Sequence, residues 1–260
     1  MREENETEKE ALKKLDETGQ AYRSEAKSYR EIAKSGGPQA GLFEQKAKAA
    51  DKRAAPVESS AREIRKMISN VGEGEADPPR LRILNGAFEF WNSPKAREAF
   101  MQKGDALWTD KTFIDQFKCN LFLHQVLRRS GYSMASLVEK TGLPVYAGKW
   151  NRPEFNPRGK FPIKGVMAAD KMQGSWISDA SSVIPQPGDI ISYGPGNARQ
   201  NRAHSAISLG YGIVINASDT STFDSPNLHP SVPGQGVTIK EDSYFMNFYD
   251  RATIRSPLVP

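Results

Sequence analysis

The stretch FKCNLFLHQVLRRSGY, residues 117–132, holds the only cysteine of a 260-residue chain. Counted from Cys119, the apolar residues Phe122, Leu123, Val126 and Leu127 fall three, four, seven and eight positions on, which is one stripe of an amphipathic helix. Gly131 supplies a stop, so the spacing predicts a helix from about Cys119 to about Ser130 with the thiol on its first turn. The positive end of that helix points at the sulfur and makes a thiolate easier to form. A lone cysteine on an apolar helical face is more commonly a small buried hydrophobe. Chemistry at Cys119 therefore depends on a histidine that can reach it.

The chain has three histidines. His124 lies five residues on, about 140° round the helix from the thiol, and is expected to face solvent. His229 falls in the Pro-rich stretch SPNLHPSVPG, where a loop position is expected. His204 remains. It lies in IPQPGDIISYGPGNARQNRAHSAISLGYGIVINAS, residues 184–218. Pro187-Gly188-Asp189 punctuates entry to a strand over Ile190–Tyr193, a second strand begins near Ala203, and Gly210-Tyr211-Gly212 turns the chain into a third over Ile213–Ala217. A three-residue loop sets Leu209 opposite Ile213 and Ala206 opposite Asn216, so that His204 and Asn216 share one face on a diagonal. An imidazole that takes a thiol proton, with a side-chain amide to fix its orientation, is what a cysteine nucleophile requires.

The amino-terminal third reads differently. Leu12, Leu15, Gly19, Tyr22, Ala26, Tyr29 and Ala33 recur at three- and four-residue steps over a helix from about Glu6 to Ala33, and Ser35-Gly36-Gly37-Pro38 ends it. A second repeat runs through Phe43, Ala47, Ala50, Ala54, Val57, Ala61, Ile64 and Ile68, with Pro56 expected to kink or restart the helix. Residues 1–75 thus predict an antiparallel helical hairpin for delivery or partner binding. They carry 15 basic and 15 acidic residues, so the formal charge of +5 belongs to the remainder. Asn70–Pro79 reads as a linker, and a globular domain over 80–260 is expected to fold without the hairpin. Ser93 and Pro94 predict a short helix to about Gln102, and Lys149–Gly165 a surface loop.

One cysteine excludes intramolecular disulfides and cysteine-cluster metal sites. The opening residues have no apolar core of a signal peptide, and no run has the length of a membrane span. The expectation is a protein made in the cytoplasm, without membrane or nucleic-acid partners and without metal or cofactor.

KCNLFLHQVLRRSGY, PQPGDIISYG and AHSAISLGYGIVINAS together resemble the NlpC-type cell-wall cysteine peptidases, a branch of the papain-like superfamily. The resemblance covers roughly residues 108–257, and the KCN helix start with the closing YDRATIRSP is similar to amidase effectors of type VI secretion systems. It implies an α+β fold in which a central helix packs on an antiparallel sheet, here preceded by the helical hairpin. It further implies Cys119 as nucleophile, His204 as base and Asn216 as the orienting third residue; Asp219 and Asp224 are rivals for that last role. Trp108-Thr109-Asp110 and Lys118-Cys119-Asn120 stand where many such enzymes have other residues, so their substrate-anchoring groups do not carry over.

The implied substrate is the peptidoglycan stem peptide, and the implied activity is antibacterial, in a target-cell periplasm reached by a dedicated secretion machine. Possible partners are a component of that machine, gripping the hairpin, and an immunity protein covering the site. Two other classes compete: a papain-like transferase or deamidase acting on a cytosolic protein or lipid, and a non-enzymatic adaptor with Cys119 in its core.

Overall fold

A computed structural model describes residues 2–95, 100, 119–132, 163–172, 175–177, 185–194, 203–219, 235–242, 245 and 251–257. They form an α+β architecture of four helices and a seven-stranded antiparallel sheet. The predicted helix over 93–102 falls mostly outside these residues, as do His229, Asp224 and most of Lys149–Gly165.

Helix α1 spans Glu6–Lys34. Asn5 caps it: its side chain accepts the Glu8 N–H at 2.9 Å while the Glu8 carboxylate accepts the Asn5 N–H at 2.8 Å. Helix α2, Ala40–Ser69, runs through Pro56 without restarting. The buried seam of Ala50, Ala54, Val57 and Ala61 continues on both sides of the proline, so packing against α1 offsets the lost backbone hydrogen bond. The two helices pair as the periodicity requires, with Arg23 bridging to Glu58 and Asp51 across the seam.

The hairpin does not stand apart from the rest. Leu12, Leu15, Val57, Ala61, Ile64 and Ile68 belong to one hydrophobic core with the sheet residues Ile207, Leu209, Ile213 and Ile215. Ser60 Oγ, buried, donates to the carbonyl of Gly210 at 3.0 Å. The segment read as a linker is itself pinned, because Arg2 pairs with both Glu8 and Asp77, and Asn85 donates to the same two carboxylates. The hairpin, expected to stand apart from the part beginning near Arg80, thus shares a core with it. Alanine-rich seams read as self-contained, but α2 also packs on β4 and β5, and α1 on α3.

Helix α3, Pro79–Asn92, was not anticipated from the sequence and lies between hairpin and site. Gly86 lets it approach the central helix: a Cβ there would come 2.9 Å from the Val126 carbonyl oxygen. Helix α4, Cys119–Arg129, matches the predicted central helix. It ends in a Schellman motif, with Tyr132 N–H on the Leu127 carbonyl, Gly131 N–H on that of Arg128, and Gly131 at φ +83°. His124 is buried, against the expectation of a solvent face. Helix α4 is covered by α3 as well as by the sheet, so nearly all its positions are interior.

The strands are β1 Ile163–Met172, β2 Ser175–Ile177, β3 Ile190–Gly194, β4 His204–Gly210, β5 Ile213–Asp219, β6 Gln235–Glu241 and β7 Arg251–Pro257. Their order across the sheet is β2-β1-β7-β3-β4-β5-β6. The β4–β5 turn is tighter than expected: Tyr211 and Gly212, both at positive φ, form a two-residue primed turn. A bulge at Leu209 restores the count, so Ile207 pairs with Ile215 and the expected register holds toward His204. One face, with Ile190, Ile207, Leu209, Ile215 and Ile239, packs on the helices. The other carries Ile191, Tyr193, Ala206 and Val214.

Candidate active site

The entry to β3 is held by its own motif. Asp189, fully buried, accepts from Arg80 Nε at 2.8 Å and from the Gln186 N–H at 2.8 Å. Gly188 sits at φ +87° against the Arg80 backbone, which leaves no room for a Cβ. Its N–H bonds to Ser208 O and the Ser208 N–H to Asp189 O, locking β4 beside the motif. The Pro-Gly-Asp motif thus holds β4 at Ser208, four residues along the strand from His204.

Cys119 is the first residue of α4 and is 5% exposed. Its thiol lies 3.9 Å from the carbonyl oxygen of Ala203, and the backbone N–H groups of Ser205, Asn120 and Cys119 also face the sulfur. The thiol therefore meets the chain on both sides of His204. Those N–H groups favour the thiolate, as the helix start was expected to do. Burial outweighs them, and the thiol is pushed above its ordinary value. At rest it is neutral.

His204 pairs with Tyr193 across β3–β4, and its imidazole stacks on Phe245 with ring centroids 4.2 Å apart and planes 13° apart. It lies on the sheet face opposite the helices, by alternation with Ala206 and Ile207. Burial pushes its pKa down to about 3, the Lys240 ammonium pushes in the same direction, and the Asn216 amide favours the protonated ring. His204 Nε2 is buried and has no hydrogen-bond partner among the described residues. Asn216, fully buried on β5, shares this face; its Nδ2 reaches the Thr238 carbonyl at 3.4 Å, while its Oδ1 makes no bond of good geometry. Asp219 ends β5.

Sulfur and imidazole approach the first residues of β4 from the two sides of the sheet, and no hydrogen bond joins them among the described residues. His204 and Asn216 are brought together, as the register predicted. Cys119 is brought to the backbone of His204. No family model, curated protein or solved structure matches this chain.

Sequence reasoning missed the groups around the imidazole. Lys240 and Asp242 are buried on or just after β6, and the Tyr193 hydroxyl donates to Asp242. In VTIKED, residues 237–242, the alternation of Val237 and Ile239 with Thr238 and Lys240 reads as a strand with one wet face. Here both faces are covered. Among the described residues, no group of three or more His, Cys, Asp or Glu is placed to hold a metal, and no helix is long and apolar enough to cross a membrane.

Proposed function

We propose that the protein is a cysteine amidase of the papain-like NlpC type, cutting an amide bond of the peptidoglycan stem peptide. One observation carries this reading. A helix-initial thiol lies against the backbone on both sides of a buried histidine whose sheet-face neighbour is an asparagine amide. In the working complex His204 takes the Cys119 proton, the sulfur attacks the amide carbonyl, and N–H groups at the start of α4 stabilise the oxyanion. Protonated His204 then donates to the leaving amine, and water hydrolyses the thioester. Starting from neutral thiol and neutral imidazole, charge separates only as substrate arrives. The mechanism requires the thiol and a ring nitrogen to come within hydrogen-bond reach in that complex.

The substrate class rests on the family resemblance. So does delivery to a target periplasm by a secretion machine, for which the exposed Ile32 and Leu42 near the α1–α2 turn offer an apolar handle. An immunity protein over the site belongs to the same reading. Expression in a Gram-negative host tests it: the protein should be harmless in the cytosol, lytic once a secretory signal is added, and harmless again with Cys119→Ala. Toxicity of the cytosolic form without wall damage favours a transferase or deamidase acting on a cytosolic target. The burial of Cys119 favours one competing reading, a non-enzymatic adaptor with a core cysteine. Lytic wild type beside inert Cys119→Ala excludes it.

A further inference from the structure

Among the described residues the imidazole of His204 packs on two rings, Phe245 and Tyr193. Phe245 stacks on it with centroids 4.2 Å apart at 13°, and Tyr193 stacks on Phe245 at 5.0 Å and 28°. Tyr193 is in turn anchored, because its hydroxyl donates to Asp242. All four residues are buried. The result is a bent column of imidazole, phenyl and phenol, in which Tyr193 also stacks on the imidazole at 6.0 Å and 29° and is tied through its hydroxyl to a carboxylate.

We propose that Phe245, backed by Tyr193 and Asp242, is a positioning residue for His204, setting the imidazole plane and keeping water off its face. This rests on the reading of His204 as the base. A histidine turns about two side-chain bonds, and the second is broad and soft unless a neighbour fixes it. Near-parallel stacking on a rigid ring supplies that constraint and leaves the ring edge, whose Nε2 has no partner among the described residues, available for proton transfer. A base displaced by about an ångström loses about a hundredfold in rate, so the column matters more to turnover than to substrate binding.

Among the described residues, the charged and titratable groups around the imidazole are Lys240 from β6, Asp242 just beyond it, Tyr193 from β3, and the Cys119 thiol at the strand start. Lys240 lies 5.9 Å from the Phe245 ring and opposes a second positive charge on His204. Phe245 acts alongside it by excluding water. Thinning the column should let water stabilise the imidazolium and raise the titration midpoint.

The test uses the full chain with ring-labelled histidine, the His204 signal being assigned by its loss in His204→Gln. Phe245→Leu should raise the His204 midpoint by at least about one pH unit. It should lower kcat on wall fragments about tenfold or more with KM within twofold. Phe245→Tyr should restore both. A folded Phe245→Leu protein with unchanged midpoint and kcat overturns the proposal. If Phe245→Leu does not fold, Tyr193→Phe decides, since it keeps every ring and removes the hydroxyl that donates to Asp242; a shift in the same direction supports the column and an unchanged midpoint overturns it. Wild type that fails to cut wall peptides while Phe245→Leu still moves the midpoint would sink the amidase reading but not the coupling.

Discussion

The Cys119 thiol lies 3.9 Å from the carbonyl oxygen of Ala203, the residue before His204. If that contact belongs to one reaction centre, Cys119→Ala and His204→Ala should each remove nearly all turnover, and the double variant should lose little more, because residues acting as a unit are not additive. Asn216→Ala should retain measurable activity, since the amide orients the base without touching the bond being broken. Steady-state hydrolysis of wall fragments measures all four. Near-wild-type rates for Cys119→Ala would remove the nucleophile.

Acid should weaken the fold through His204. In the unfolded chain this group binds a proton near its ordinary 6.5, whereas in the folded protein it does so only near 3. As pH falls through that window the unfolded state gains a proton that the native state refuses, so stability drops by a few kcal/mol and levels off below it. Urea unfolding between those limits should show this slope, and His204→Gln should flatten it. Parallel curves for the two proteins would show that His204 is not held neutral.

Gly188 and Gly36 make a paired test of the β3 entry. Both sit at positive φ, but a Cβ at Gly188 meets the Arg80 backbone whereas one at Gly36 meets nothing within 4 Å. Gly36→Ala should cost about 1 kcal/mol from backbone strain alone. Gly188→Ala should cost at least about 2 kcal/mol and lower activity, because the loop that bonds to Ser208 of β4 must shift and move the strand that carries His204. Equal losses in urea midpoint would show that the Arg80–Asp189 corner has room to move.

Removing the hairpin should expose the core. A chain beginning at Arg80 loses the Leu12, Leu15, Val57, Ala61, Ile64 and Ile68 side chains from the core shared with the sheet. It also loses the partners of Asn85 and Asn92, which bond to Glu8 and the Thr7 carbonyl. Binding of a hydrophobic dye and loss of a cooperative thermal transition are expected. A truncated protein with a sharp transition and wild-type hydrolysis would restore the hairpin's independence.

Local pattern carried the elements well. The three- and four-residue spacing from Cys119 gives α4 within a residue, and the alternation around His204 places Asn216 on its face. Tertiary relations were less legible. His124 was read from its own helix, whereas its burial is set by what the whole fold packs around that helix. The thiol was read from the helix end, whereas burial, which depends on the whole fold, decides its protonation. Phe245, Tyr193 and Asp242 converge on His204 from residues 193 to 245, and no spacing in the chain announces such a meeting.

The central claim is that Cys119 cleaves a stem-peptide amide. Purified wall fragments incubated with wild type and with Cys119→Ala, and analysed by mass spectrometry, test it most directly. Wild type should yield two products whose masses sum to that of the substrate plus one water, with a free amine and a free carboxylate at the cut; Cys119→Ala should yield neither. Intact fragments with wild type, or the same products from both proteins, would contradict the account.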